Sequence, residues 1–128
     1  MMSSSSEALG SPDPSQGGDE QLKVHLLELY AQLESIVAFA EGREEPDPNS
    51  PAQWLYDAMS SPAAERRRTR DALRRWAYVF REELELVRVA RNTVAHARYV
   101  SDENLRKAIG VAERLVRAAK SSALGVAR

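Results

Sequence analysis

Arg91, Asn92 and His96 fall within six residues, in the run Arg-Asn-Thr-Val-Ala-His. Histidine titrates near neutrality and can take or give a proton there. Arginine keeps its charge and grips a phosphate with two parallel N–H donors. Asparagine can orient an imidazole or bond to a phosphate oxygen. Together the three suit metal-independent cleavage of RNA. Histidine removes the ribose 2′-hydroxyl proton, the freed oxygen attacks the adjacent phosphorus, and arginine stabilises the charge on the phosphoryl oxygens. The expected products are a 2′,3′-cyclic phosphate and a 5′-hydroxyl. DNA lacks the attacking group and should be spared. The spacing also admits a structural histidine on a helix face, and six residues alone do not separate the two readings.

The position of Arg91 is the stronger signal. Leu73, Ala77, Phe80, Leu84, Val87, Arg91 and Val94 recur at alternating steps of four and three, which is one face of a helix. An arginine on that face costs several kcal/mol if buried without a partner. Sequences break such local rules mainly where function requires it. Asn92 and His96 are four apart and share a side of an ideal helix. Arg91 and His96 are five apart, about 140° around the axis, so a distortion or a second chain is needed to bring them together.

These residues need a scaffold, and the rest of the chain reads as helices. Residues 1–19, rich in Ser, Gly, Pro and acid, cannot offset the entropy of ordering and are expected to form a disordered tail. Asp19 is a candidate N-cap for a first helix whose face is Leu22, Leu26, Leu29, Leu33, Ile36 and Ala40, widened by Leu27, Tyr30 and Val37. Gly42 ends it, and residues 43–49 form an acidic loop with two prolines. Ser50 and Pro51 open a short second helix presenting Trp54, Leu55, Ala58 and Met59; Ser60, Ser61 and Pro62 end it and start the next. Residues 63–97 hold no glycine or proline and form one long helix, or two with a bend near Tyr78–Arg81. After a break at 98–101, Ser101 or Asp102 caps a last helix. Its face is Leu105, Ala108, Ile109, Ala112, Leu115, Val116 and Ala119, and residues 121–128 are expected to fray. No strand pattern and no long repeat intervenes. The expected fold is an all-α bundle of four to five helices, with one domain over 20–120.

Composition narrows the function. The chain has 128 residues, no cysteine and two histidines, so neither a thiolate site nor a protein-held transition metal is expected, and no cofactor is implied. No apolar run reaches the length of a membrane span, and no secretory pattern opens the chain, so a cytoplasmic protein is expected. The net charge of −1 hides an asymmetry. Residues 1–60 carry 2 basic and 11 acidic side chains, and residues 61–128 carry 16 basic and 8 acidic. The motif therefore lies in a half whose field attracts a polyanion.

The stretch from Leu84 to Ala119 resembles the HEPN superfamily (higher eukaryotes and prokaryotes nucleotide-binding). Its members are small helical bundles with an Arg, four to six residues, then His signature, and a polar residue after the arginine. Arg91, Asn92 and His96 match those positions. The order also fits, with the motif closing one helix before a terminal amphipathic helix. The resemblance implies a metal-independent endoribonuclease, active as a homodimer whose two motifs form one composite site. Many members are toxins paired with an antitoxin, or act in antiviral defence, whereas others have lost catalysis and bind RNA, nucleotides or a partner protein. A toxin subgroup carries tyrosine two residues after the histidine, where Arg98 stands here.

Other residues offer supporting chemistry. Arg66, Arg67, Arg68, Arg70, Arg74 and Arg75 are the densest positive charge. Arg66, Arg67, Arg70 and Arg74, with Arg98, are candidate contacts to the RNA backbone. The alternative pairs this cluster with Glu41, Glu44, Glu45 and Asp47 of the acidic half. Trp76 and Phe80 lie on the apolar face and are expected in the core, which leaves Tyr78 freer to stack on a base. His25 reads as a core-edge residue with Glu28 as its only nearby acid. Glu82, Glu83 and Glu85 are expected to pair with Arg88 along the helix surface.

Overall fold

The computed structural model describes residues 14–59, 62–96 and 98–125. Among the described residues five helices make up the bundle: α1 (Pro14–Ala40), α2 (Gln53–Ala58), α3 (Ala63–Val79), α4 (Arg81–Ala95) and α5 (Asp102–Leu124). Among the described residues there is no strand. No described helix is long and apolar enough to cross a membrane.

α5 is the hub. It packs against α1 most extensively and against α3 and α4 in turn. The reason is its composition: Leu105, Ala108, Ile109, Ala112, Leu115, Val116 and Ala119 recur on one face, and all seven are buried. Val111 joins them. α1 buries Leu26, Leu29, Leu33, Ile36 and Ala40 against that face. The same core takes Leu55 from α2, Leu73 and Trp76 from α3 and Val87 from α4. Trp76 satisfies its indole N–H on the Leu115 carbonyl at 3.1 Å, so a core aromatic also ties α3 to α5.

The helix ends explain the boundaries. Ser101 is the N-cap of α5, its hydroxyl accepting the Asn104 N–H at 3.1 Å, while Asp102 and Glu103 sit in the first turn where the helix dipole favours negative charge. Gly125 closes α5 at φ 67°, a conformation that disfavours any side chain with a Cβ. α1 ends in a Schellman motif around Gly42, φ 76°. The Arg43 N–H bonds the Ala38 carbonyl at 2.8 Å and the Gly42 N–H bonds Phe39 at 3.0 Å.

Several boundaries depart from the sequence reading. α1 starts at Pro14, so Asp19 lies inside the helix instead of capping it, and only residues 1–13 of the expected tail lie outside the described residues. Ser50 accepts the Ala52 N–H at 3.2 Å, a local turn that precedes α2, which begins at Gln53; Pro51 is thus not its first residue. Ser60 and Ser61 lie outside the described residues. α5 stays helical to Leu124, past the expected fraying point, and residues 126–128 are outside the description. Leu27 is exposed, off the buried stripe of α1. The expected single or bent helix is two helices, Ala63–Val79 and Arg81–Ala95, joined at Phe80, where φ −103° and ψ 23° leave the helical range. Hydrogen bonding still passes through the joint, from the Phe80 N–H to Trp76 and from the Leu84 N–H to Phe80, so it is a bend and not a loop.

Candidate nucleic-acid site at the end of α4

α4 presents its buried face through Val87, flanked by half-buried Leu84, Arg91 and Val94. Arg91 therefore does lie on the inward side. Its Nη1 donates to the Asn92 side-chain oxygen at 2.9 Å. Its guanidinium carbon lies 5.4 Å from the centroid of the Tyr30 ring on α1. Among the described residues no carboxylate pairs with it. The charge is thus held by a neutral amide and a neutral ring, and is not cancelled.

His96 caps the C-terminal end of α4, where its N–H bonds the Asn92 carbonyl at 3.0 Å. Its side chain is exposed, and among the described residues its ring has no hydrogen-bond or ion-pair partner. Arg91 and Asn92 are brought together by one chain; His96 stands one turn on, apart from the guanidinium. Val89 and Asn92 share the His96 side of the helix at separations of seven and four. Val89 is 50% exposed, Leu86 40% and Tyr99 76%. With Ala90, Val100 and Ala108 they line an open groove of about 390 Å³ between α4 and the start of α5. An exposed apolar strip beside the motif is the kind of surface that proteins cover with another chain.

The arginines of α3 divide into two groups. Arg70 and Arg74 reach the C-terminus of α1. Arg70 Nε donates to the Phe39 carbonyl at 3.0 Å, its Nη2 pairs with Glu45 at 2.6 Å, and its guanidinium lies 4.4 Å from the Phe39 ring centroid. Arg74 Nε donates to the Ala40 carbonyl at 2.7 Å and its Nη1 is 3.4 Å from Asp71. Two carbonyls in the last turn of a helix need partners, and two cations suit that negative dipole end. These two arginines are structural members of the α1–α3 seam. Arg66, Arg67 and Arg75 are exposed on the same helix, and Arg68 is 4.0 Å from Glu65. Arg98 is exposed beyond the motif, its N–H bonded to Thr93 at 3.0 Å.

Three further groupings were not visible in the sequence. His25 pairs with Glu113 of α5 at 3.2 Å, not with Glu28. Tyr78 is exposed, but the Arg81 guanidinium covers its ring at 4.4 Å and bonds its carbonyl at 2.7 Å. A groove of about 600 Å³ runs between α1 and the α3–α4 bend, with Val37, Ala77 and Leu84 as apolar floor and Tyr30, Glu34 and Arg88 at its sides. Arg88 forks onto Glu85, which holds that carboxyl below its ordinary 4.5 and raises the guanidinium in turn. Glu82 and Glu83 sit in the first turn of α4, where the dipole favours them. Among the described residues no group of three or more His, Cys, Asp or Glu side chains could hold a metal ion.

Compared with protein-family models, with curated proteins and with solved structures, the chain finds no match.

Proposed function

We propose that the chain is a HEPN-type, metal-independent endoribonuclease that works as a homodimer. The observation that carries this reading is Arg91: among the described residues, a half-buried guanidinium without a carboxylate, beside Asn92 and one turn from an exposed His96 whose ring has no partner. A charge left uncancelled at the edge of a core is costly to keep unless a ligand completes it. A phosphate of RNA would do so through the arginine fork. His96 then takes the 2′-hydroxyl proton as the oxygen attacks phosphorus, and the 5′-oxygen leaves with a proton from the second motif of the dimer. The apolar strip of Leu86, Val89 and Tyr99 supports a partner chain docking beside the motif. Arg66, Arg67 and Arg98 are exposed, and in this reading they would contact the backbone of the substrate. Within this reading the chain acts as a toxin or antiviral-defence component, and an antitoxin or other protein partner would be its natural restraint.

The test is incubation of the purified protein with single-stranded RNA in EDTA, with sequencing of the cut ends and sedimentation of the protein. Cyclic phosphate ends, intact DNA and a loss of roughly 100-fold or more in His96→Ala are expected. Equal cutting by wild type and His96→Ala rejects the catalytic role. A second reading rests on His96 having, among the described residues, no group that orients its ring: a non-catalytic dimerisation or RNA-binding module. It predicts tight, steeply salt-dependent RNA binding without cleavage.

A further inference from the structure

Among the described residues, one of the five N–H donors of Arg91 is engaged, by Asn92. A single hydrogen bond from a neighbouring residue does not fix a side chain with four rotatable bonds. The second contact comes from another helix: Tyr30 of α1, whose ring centroid is 5.4 Å from the guanidinium carbon. Among the described residues the Tyr30 hydroxyl makes no hydrogen bond, so its ring is what meets Arg91. Burial first, and Glu34 next, raise the phenol above its ordinary 10.0, so the ring stays neutral wherever the protein is folded at physiological pH. The face of a neutral phenol attracts a cation through its quadrupole.

We propose that Tyr30 is a positioning residue for Arg91. The ring of Tyr30 seats the guanidinium from the α1 side, Asn92 sets its rotation, and the remaining donors are left for an anion. The inference goes beyond the ribonuclease reading and rests on it for its effect on cleavage. It also links the motif to a helix more than fifty residues away in sequence, across the α1–α4 seam.

Four variants test it: Tyr30→Phe, Tyr30→Met, Arg91→Ala, and Tyr30→Met combined with Arg91→Ala. Tyr30→Phe keeps the ring face, and Tyr30→Met keeps much of the volume without it. Three readouts are followed: the Arg91 Nε–H proton resonance, binding of a single-stranded RNA oligonucleotide with 2′-deoxy substitution, and kcat and KM on the unmodified oligonucleotide. The wild-type resonance is expected to be displaced by the ring current, to stay so in Tyr30→Phe, and to relax in Tyr30→Met. Cleavage by Tyr30→Phe should stay within about twofold of wild type, while kcat of Tyr30→Met falls about five- to tenfold, the size of a partly desolvated cation–π contact. In the Arg91→Ala background Tyr30→Met should add nothing. The proposal is overturned if Tyr30→Phe loses as much as Tyr30→Met, if Tyr30→Met changes neither resonance nor kcat, or if the two substitutions add. Absence of cleavage by the wild type would instead reject the ribonuclease reading. The resonance in the two Tyr30 single variants, and the oligonucleotide binding with the same double-variant comparison, would still decide whether Tyr30 seats Arg91.

Discussion

At two seams of the bundle an arginine lies over an aromatic ring of α1. At the α1–α3 seam Arg70 covers Phe39 at 4.4 Å, bonds its carbonyl, and meets Glu45. At the α1–α4 seam Arg91 covers Tyr30 at 5.4 Å and bonds a neutral amide. The first arginine is paired: Glu45 neutralises it, and the ring and the helix carbonyl hold it in place. The second has the same kind of seat without the neutralising acid. The difference separates an arginine whose charge is paired within the fold from one that meets no carboxylate among the described residues. Sequence position sets Arg91 apart on an apolar face and puts Arg70 in a basic cluster, but it does not show which of the two meets a carboxylate.

The comparison can be broken by exchanging roles. Arg91→Ala should have the largest effect, lowering RNA cleavage by roughly 10²–10³-fold, as expected for removal of a donor to the charged phosphoryl group. Its melting temperature should move little. If Arg91→Ala unfolds the bundle and leaves RNA cleavage intact, the two seams are alike. Arg70→Ala should do the reverse, costing about 1–3 kcal/mol of stability by denaturant unfolding with little change in cleavage per folded molecule. Arg74→Met should cost about 1 kcal/mol, because it removes the bond to the Ala40 carbonyl while keeping the aliphatic stem. A drop in oligonucleotide affinity larger than the drop in stability would return Arg70 or Arg74 to the RNA surface.

The smallest effect concerns Glu85, which the α4 fork from Arg88 holds below its ordinary 4.5. A carboxyl depressed in the folded state stabilises above its unfolded value, and that stabilisation is lost as pH falls through the folded value. Wild type should therefore melt slightly higher than Glu85→Gln above about pH 5, and the gap should close on acidification. A gap that persists in acid would remove this pair from the account of α4.

How far the sequence could be read follows from which contacts are local. The seven-residue face of α5 was legible because a helix repeats its inward positions at fixed spacing, and each of those residues is buried. Ser101 was legible, as one of two capping candidates, because an N-cap bonds three residues ahead. Arg91 stood out because it breaks a periodic face. The partners of Arg70 and Arg74 were not legible: they are main-chain carbonyls at Phe39 and Ala40, and every residue type carries one. His25 and Glu113 are 88 positions apart, a distance that no helical repeat spans. Tyr30 belonged to the α1 stripe on spacing, but nothing in the spacing of α1 says which residue of α4 it faces.

The hub helix has a consequence for the making of the protein. α5 is the last of the five helices to leave the ribosome, and it carries the face on which α1, α3 and α4 meet. Until it emerges, α1, α3 and α4 lack the helix against which they pack, and the growing chain holds Arg91 and His96 before the bundle is complete. Domains fold as units during synthesis. The motif is translated before α5 and becomes organised only with it, so a chain interrupted between them would carry its letters and not its geometry.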